Sequence, residues 1–298
     1  MTGLVTATLP PPDLGSALRL GSRRLRRLDL PSADLEASLL LGRATGLARL
    51  ELILNTARAI TAEEWTTYDR LLKRREAREP FQYLVGSQEF MSLDFAVDAA
   101  VLIPRPETEI LVEAVLDLVE DAGTQESGPR VLDVGTGSGA ILVTLANYVR
   151  VLEGTGVDCS LEALERARGN AERLGVADRL QFVQGDLLEP VVGGGRVFDY
   201  VVANLPYIPS VDIEGLEPEV RDHEPRMALD GGFDGLALIR RLVAEVEQVI
   251  KPGGWLALEV MAGQAPRVMD LLEGWPSVQV RHDLAGIERV VLARAAQA

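Results

Sequence analysis

Hydrophobic positions change their period along the chain, and each period predicts a different kind of element. Up to about residue 80, apolar residues recur every three or four positions in four segments. This spacing predicts helices over residues 13–28, 32–45, 47–57 and 61–76. Pro31 and Gly46 break the pattern, and Thr61 with Glu64 has the spacing of a capping box. We therefore expect a small helical bundle that ends at Pro80.

After the predicted bundle, the spacing between hydrophobic residues becomes shorter. Aromatic and branched residues alternate with polar ones over residues 81–104, which predicts a β-hairpin linker. From residue 130 onward, short apolar segments predict strands over 131–134, 154–158, 180–183, 200–203, 255–260, 278–282 and 289–293. Helical segments lie between most of them, over 140–149, 161–174, 235–250 and 264–272. Such alternation predicts a mainly parallel, seven-stranded α/β sheet covered on both faces.

This pattern divides the chain into three parts, and the charge supports the division. Residues 1–80 form the helical domain, residues 81–104 the linker and residues 105–298 the catalytic domain. The net charge is −15 overall, but residues 1–80 carry +3 and the remainder −18. Because binding along a phosphate backbone needs clustered positive charge, we expect no direct nucleic-acid binding by the catalytic part. The basic helix face around Arg23 is either a solvated surface or a docking patch for a protein partner.

Composition narrows the class of protein further. The 298 residues are 47% hydrophobic and 25% charged, which is enough for a large core or for a main and a smaller domain. One cysteine, Cys159, excludes a disulfide within the chain, and two distant histidines make a zinc cluster improbable, so we expect no metal site. There is no apolar run of about 20 residues and no secretory signal pattern. We expect a cytoplasmic protein without a membrane anchor.

A glycine-rich turn is the sharpest local signal. Gly135, Thr136, Gly137, Ser138 and Gly139 follow one predicted strand and precede a helix. Three glycines in five positions allow a tight turn and a close approach to a ligand. The spacing differs from the dinucleotide motif, and no P-loop lysine follows, so we favour a nucleoside cofactor without a pyrophosphate, S-adenosylmethionine. The alternative is a turn that only packs a helix against a strand.

Acidic residues end the next two predicted strands. Asp158 ends the second strand about 20 residues after the glycines, where a carboxylate accepts both hydroxyls of a ribose. Asp186 ends the third strand and is a candidate acceptor for the adenine amino group, with Leu187 packing against the ring. Strand-end aspartates are also common helix caps, so Asp186 alone is a weak signal. We interpret Cys159 as a small buried residue of the cofactor wall.

The fourth strand ends in Asn204, Leu205, Pro206 and Tyr207. The Asn204 side-chain oxygen and the Leu205 carbonyl are two acceptors for the hydrogens of a planar NH₂ group, and Tyr207 is placed to stack on that group. Such a site suits methyl transfer to an amide or an exocyclic amine by positioning rather than by a general base. The alternative is an asparagine turn stiffened by proline.

Three motifs together resemble a known family. Residues 102–109 (Leu-Ile-Pro-Arg-Pro-Glu-Thr-Glu), residues 133–140 and residues 204–207 are similar to the peptide chain release factor glutamine methyltransferases, the HemK/PrmC family. The resemblance covers nearly the whole chain from about residue 10. It implies a class I, Rossmann-like S-adenosylmethionine-dependent fold. It also implies methylation of the side-chain amide of the glutamine in the Gly-Gly-Gln motif of translational release factors, which are then the protein partners.

The resemblance also assigns roles. Gly135 to Gly139, Asp158, Leu187 and Asn204 would contact the cofactor, and residues 204–207 would hold the glutamine amide. This chain has Leu205 where the family has proline, which keeps the carbonyl acceptor but leaves the backbone less fixed. Adenine-N6 methylation of RNA or DNA, which also uses an Asn-x-Pro-Tyr tetrad, and a non-catalytic cofactor-binding protein remain the alternatives.

Overall fold

The structure is a computed structural model in which residues 10–123, 128–193 and 198–297 are described. The chain forms two compact units, Met1–Gly86 and Ser87–Ala298. The first unit contains helices α1 (Leu14–Leu25), α2 (Ala33–Thr45), α3 (Arg49–Leu54), α4 (Ala62–Glu76) and α5 (Phe81–Val85), with a 3₁₀ turn at Arg26–Leu28.

Capping side chains and one buried aromatic residue set the geometry of this unit. The Asp13 carboxylate accepts from the Ser16 N–H at 2.7 Å, and Thr61 with Glu64 forms the expected capping box. Tyr68 is fully buried and donates its hydroxyl to the Ala37 carbonyl at 3.0 Å. A Cβ at Gly21 would lie 1.9 Å from that hydroxyl oxygen, so the absence of a side chain at Gly21 allows α1 and α4 to pack closely.

Residues 81–85 differ from the prediction, because they form helix α5 instead of the start of a β-hairpin. Pro80 precedes this helix, and Gly86, at φ +84°, ends it in the left-handed region that glycine favours. Leu84 is buried in the core of the helical unit. The strands of the hairpin are β1 (Ser87–Phe90) and β2 (Leu93–Ala96) only, and Phe90 and Phe95 pack into the core of the second unit.

The second unit continues with alternating helices and strands. Its elements are α6 (Pro106–Asp121), β3 (Arg130–Val134), α7 (Ala140–Tyr148), β4 (Glu153–Asp158), α8 (Leu161–Arg173), β5 (Leu180–Gln184), β6 (Phe198–Ala203), α9 (Pro218–His223), α10 (Ala237–Glu245), β7 (Ile250–Glu259), α11 (Ala265–Leu271), β8 (Ser277–His282) and β9 (Glu288–Arg294). Within the described ranges, no helix combines the length and apolar character that crossing a membrane requires.

In the described part of the chain, β3 to β9 form one seven-stranded sheet in the order β5-β4-β3-β6-β7-β9-β8. β9 runs antiparallel to both neighbours, and the other pairs are parallel. Successive residues of the central strands face opposite cores, as Tyr200 and Val202 do against Val201 and Ala203. α6 and α7 cover one face, and α10 and α11 the other. The predicted α/β fold is confirmed.

This topology fixes where a ligand binds. The strand order reverses between β3 and β6, whose carboxyl ends lie side by side with Val134 opposite Ala203. Open α/β sheets bind ligands outside the carboxyl ends of the strands at such a switch point. The glycine turn after β3 and the tetrad after β6 therefore meet at one edge.

Candidate active site

The glycine turn closes tightly onto the neighbouring strand. Gly135, Gly137 and Gly139 have φ values of +76°, +54° and +79°, a region that side-chain-bearing residues rarely adopt. The N–H groups of Gly135 and Thr136 both donate to the Val157 carbonyl, at 2.8 and 3.0 Å. A Cβ at Gly139 would lie 3.1 Å from the Ala167 Cβ, so this glycine lets α7 pack against α8.

Two aspartates hydrogen-bond residues of the glycine turn. Asp133 is fully buried and accepts from the Thr136 hydroxyl at 2.7 Å. Burial, aided by the charge of Asp158, raises the pKa of Asp133 to about 7. The two oxygens of Asp158 accept from the N–H groups of Gly137 and Ser160 at 2.9 and 3.0 Å. The carboxylate is therefore fixed beside the turn and has lone pairs left for a ligand.

A cavity of about 390 Å³ opens above these groups. This volume lies within the range of about 300–1,000 Å³ that is usual for small-molecule sites. Predicted site residues that line it are Gly135, Thr136, Gly137, Ser138, Asp158, Asp186, Leu187, Asn204, Leu205 and Pro206. Gly139 and Tyr207 are not in its lining. The open space around Gly137, where a Cβ would meet its nearest atom at 3.9 Å, leaves room for a ligand against the backbone.

Three lining residues have surroundings that the sequence did not indicate. The Asp186 carboxylate is half exposed and pairs with the Arg241 guanidinium at 2.7 Å. Leu187 is buried and has a left-handed φ of +51°. Cys159 lines the cavity, as expected of a residue of the cofactor wall, but it is exposed and not buried. Partial burial of its thiol, together with the charge of Asp158, raises the pKa of that thiol. A thiol with a raised pKa is a poor nucleophile at neutral pH.

Asn204 is oriented by a residue of the Ile-Pro-Arg-Pro-Glu-Thr-Glu segment. Its Nδ2 donates to the Thr108 hydroxyl oxygen at 3.1 Å, and Thr108 lies in the first turn of α6 and is buried. The Asn204 Oδ1 is then the free acceptor of the amide group. Arg105 of the same segment donates to the buried Glu224 carboxylate at 2.5 Å, which fixes the entry to α6.

Tyr207 is held through its hydroxyl group. It donates to Oε1 of Glu259, the last residue of β7, at 3.2 Å. Glu259 is only 1% exposed, and burial raises its pKa to about 7, although the nearby Thr108 hydroxyl and the hydrogen bond from Tyr207 favour its charged form. Burial also raises the pKa of Tyr207, so its hydroxyl keeps its proton at neutral pH.

The backbone of residues 204–207, the tetrad loop, is enclosed by its neighbours. The Gln264 Nε2 donates to the Tyr207 carbonyl at 2.9 Å. A Cβ at Gly231 would lie 2.6 Å from the Pro206 carbonyl oxygen, and one at Gly235 would lie 2.1 Å from that of Tyr207. The Leu205 side chain is 3% exposed and packs into the core below Gly135. These contacts fix the path of the loop.

Sequence reasoning found part of the cavity lining, but it missed other lining residues, among them Thr108, and the side chains that support the site. Thr108 stood inside a motif already singled out, and Glu259 was visible as a charge at the end of a strongly apolar strand. Asn170, fully buried, donates to the Ser138 carbonyl at 2.9 Å and pairs with the backbone of Ala96, and nothing in its local sequence marks it. Among the residues described, no group of three His, Cys, Asp or Glu side chains is placed to hold a metal ion.

The fold and the ligand edge define a class I, Rossmann-like, S-adenosylmethionine-dependent methyltransferase, as the sequence predicted. A methyltransferase domain model matches residues 125–281, and a PrmC N-terminal domain model matches residues 16–86. The N-terminal domain of human METTL16 in complex with SAH has a similar fold, with a TM-score of 0.50 and 17% identity over 67% of this chain and 75% of that chain.

Full-length relatives give the finer assignment. The release factor glutamine methyltransferase of Bradyrhizobium diazoefficiens is 43% identical over 99% of both chains. That of Geobacter sulfurreducens is 43% identical over 88% of this chain and 90% of its own. The chain belongs to the release factor glutamine methyltransferase family, which confirms the resemblance drawn from its three motifs.

Proposed function

We propose that this protein methylates the side-chain amide nitrogen of the glutamine in the Gly-Gly-Gln motif of translational release factors, with S-adenosylmethionine as methyl donor. The observation that carries the proposal is the orientation of Asn204. Its NH₂ group is engaged by Thr108, so its Oδ1 is the acceptor available at the cavity. An acceptor at that point suits a substrate that presents an NH₂ group.

The residues around the cavity fit the cofactor. Asp158 would accept from the ribose hydroxyls, and the open backbone at Gly135 and Gly137 would receive the remainder of the molecule. Leu187 would pack against the adenine ring, and Asp186, already paired with Arg241, would keep oxygen lone pairs for the adenine amino group. When bound, S-adenosylmethionine supplies an electrophilic methyl group on a sulfonium centre.

The tetrad would hold the substrate nitrogen in place. The lone pair of an amide nitrogen is delocalised, so the nitrogen attacks poorly unless its orientation is fixed. Asn204 Oδ1 and the Leu205 carbonyl would each accept one N–H, which turns the lone pair toward the methyl carbon. Formation of the N–C bond would accompany loss of the methyl–sulfur bond, with S-adenosylhomocysteine as the leaving group, and the nitrogen would release one of its two hydrogens as a proton to solvent. The ring of Tyr207 would stack on the planar amide.

The helical unit would dock the protein substrate. Of its dense basic run, Arg24 pairs with Asp69 and Glu76, and Arg26 pairs with Asp34. Arg19, Arg23 and Arg27 are exposed at positions i, i+4 and i+8. Arg19 donates to the Ser16 hydroxyl oxygen and helps to lower the pKa of the nearby Asp13 carboxyl, so Arg23 and Arg27 are the residues best placed to meet a partner. This face suits an acidic surface of a release factor.

Charge supports a protein substrate over a nucleic acid. Residues 81–298 carry a net charge of −18, which opposes binding along a phosphate backbone. We therefore propose release factors as partners, no direct nucleic-acid binding, and a cytoplasmic location, where translation terminates.

The test is methylation by the purified protein of a release factor and of a structured RNA, followed by mass-spectrometric mapping of the methylated residue. We expect one methyl group on the glutamine of Gly-Gly-Gln and none on RNA. Charge reversal at Arg23 and Arg27 should raise KM for the release factor several-fold, and the same reversal at the exposed Arg150 should not. Methylation of adenine alone would overturn the proposal.

A further inference from the structure

Three exposed apolar residues follow the tetrad loop in the sequence. Val211 is 76% exposed, Met227 57% and Phe233 91%. Met227 is also part of the cavity lining, so it lies where the cavity meets solvent. Single exposed apolar residues are normal on a protein surface, whereas a group of them beside a cavity indicates an interaction site. The contacts of their neighbours show that these three residues, the apolar rim, belong to one surface.

One carboxylate holds the residues that precede the apolar rim. Asp230 lines the cavity, and its Oδ1 accepts from the Ser210 hydroxyl at 2.6 Å and from the Gly232 N–H at 3.0 Å. The guanidinium group of Arg226 lies 3.5 Å from Oδ2 of the same carboxylate. Each of these three partners directly precedes a residue of the apolar rim. The rim is therefore assembled around a side chain of the cavity wall.

The turn that carries Phe233 is held on both sides. Asp234 follows Phe233 and accepts from the guanidinium groups of Arg240 and Arg267. A Cβ at Gly235 would lie 2.1 Å from a carbonyl oxygen of the tetrad loop, so the base of the turn packs directly against that loop. Because its backbone is restrained before any partner arrives, Phe233 loses little conformational freedom when a partner binds.

The position of the apolar rim indicates what binds it. The substrate glutamine would enter the cavity from solvent, so the residues beside that glutamine would pass over the mouth of the cavity. Phe233 is three residues from the cavity-lining Asp230, a chain length of at most about 11 Å. A second copy of this protein seated on the rim would close the cavity to its substrate. A segment of the substrate protein is therefore the occupant that this position favours.

We propose that the apolar rim binds the segment of the release factor that flanks its Gly-Gly-Gln motif, with Phe233 as the main anchor. The proposal rests on the proposed function, because it names the surface that receives the same substrate. The two glycines of the motif carry no side chains, so the groups that contact Phe233 are apolar side chains of neighbouring residues. Aromatic residues are frequent hot spots at protein interfaces because they bury a large area on binding.

Substitution of Phe233 by alanine tests the anchor. The loss of one buried aromatic contact should raise KM for the release factor about 10-fold, with kcat and the affinity for S-adenosylhomocysteine unchanged. Phe233→Tyr keeps the ring and should keep KM within about 3-fold of wild type. Leu284→Ala is the matched control, because Leu284 is a fully exposed apolar residue between β8 and β9, and it should leave KM unchanged.

Folding does not obscure this test. The Phe233 side chain is exposed, so its removal empties no core position, and the melting temperature of Phe233→Ala should equal that of wild type. Equal KM values in Phe233→Ala and wild type would overturn the proposal. If KM is unchanged and sedimentation shows that Phe233→Ala only weakens self-association, the rim belongs to a second copy and the proposal is wrong.

Cross-linking gives a second readout that does not depend on turnover. Phe233→p-benzoylphenylalanine should form a light-induced cross-link to the release factor domain that carries Gly-Gly-Gln, mapped by mass spectrometry. Leu284→p-benzoylphenylalanine should form none. Failure of the wild type to methylate any release factor would refute the proposed function. Normal methylation by the wild type, with cross-links from position 233 only to another domain, would refute the docking role of the rim alone.

Discussion

Replacing Glu259 by glutamine should make the stability of the protein less dependent on pH. Burial raises the pKa of Glu259 from 4.5 to about 7, so between these values the folded protein holds a proton that the unfolded chain has lost. The favourable contribution is complete below about pH 4.5 and is lost as the pH rises through 7. Glutamine does not titrate, and the buried Asp133 is the same in both proteins and cancels in the comparison.

The size of this pH dependence follows from the pKa shift of Glu259. Each pKa unit is worth about 1.4 kcal/mol, so between pH 5.5 and pH 8.5 wild type should lose about 2 kcal/mol relative to Glu259→Gln. Urea unfolding at the two pH values measures this difference directly. Glu113→Gln, an exposed change on α6, is the matched control and should shift by less than about 0.5 kcal/mol. A Glu259→Gln effect that is the same at both pH values would show that Glu259 does not titrate in this range.

Other changes test the site itself. Asp158→Ala should weaken S-adenosylhomocysteine binding by about 1.5–3 kcal/mol in calorimetric titration, and unchanged affinity would remove Asp158 from the cofactor site. Asn204→Ala should lower single-turnover methylation about 10²–10³-fold, with Asn204→Asp retaining more activity, and near wild-type rates would place the chemistry elsewhere. Leu205→Ala should cost about 2–3 kcal/mol of unfolding free energy, since it empties a buried position, whereas Leu205→Pro should keep turnover within a few-fold. Gly139→Ala should lower the melting temperature, because φ is +79° and the Ala167 Cβ is 3.1 Å away; an unchanged melting temperature would contradict the tight packing of α7 on α8.

Local sequence signals predicted the catalytic unit well. The strand ends at Val134, Asp158 and Ala203 follow from apolar runs interrupted by glycine, aspartate and asparagine, and the structure has them at the same residues. These signals are local, because the strand pattern and the turn chemistry occupy adjacent positions. Once the sheet is parallel, its topology brings those ends together without further information from the sequence.

Features that depend on residues far apart in the sequence could not be predicted from local sequence patterns. Phe81 and Tyr83 alternate with polar residues like a strand, but the segment between Pro80 and Gly86 forms a short helix, because Leu84 packs into the core of the helical unit. The pairing of Asp186 with Arg241 and of Asn204 with Thr108 joins residues 55 and 96 positions apart. Nothing in either local sequence specifies such a partner.

The close approach of Gly231 and Gly235 to the tetrad loop bears on how the family's motif varies. In the usual Asn-Pro-Pro-Tyr tetrad two proline rings stiffen the backbone covalently, and here Leu205 gives up one of them. In this chain the contacts of Gly231 and Gly235 and the hydrogen bond from Gln264 restrain the loop from outside. The rigidity of the loop therefore comes from surrounding residues and not from a second proline in the tetrad. We therefore expect substitutions at position 205 and at positions 231, 235 and 264 to be energetically coupled. A chain that restores the proline should tolerate changes at these three positions that this chain would not.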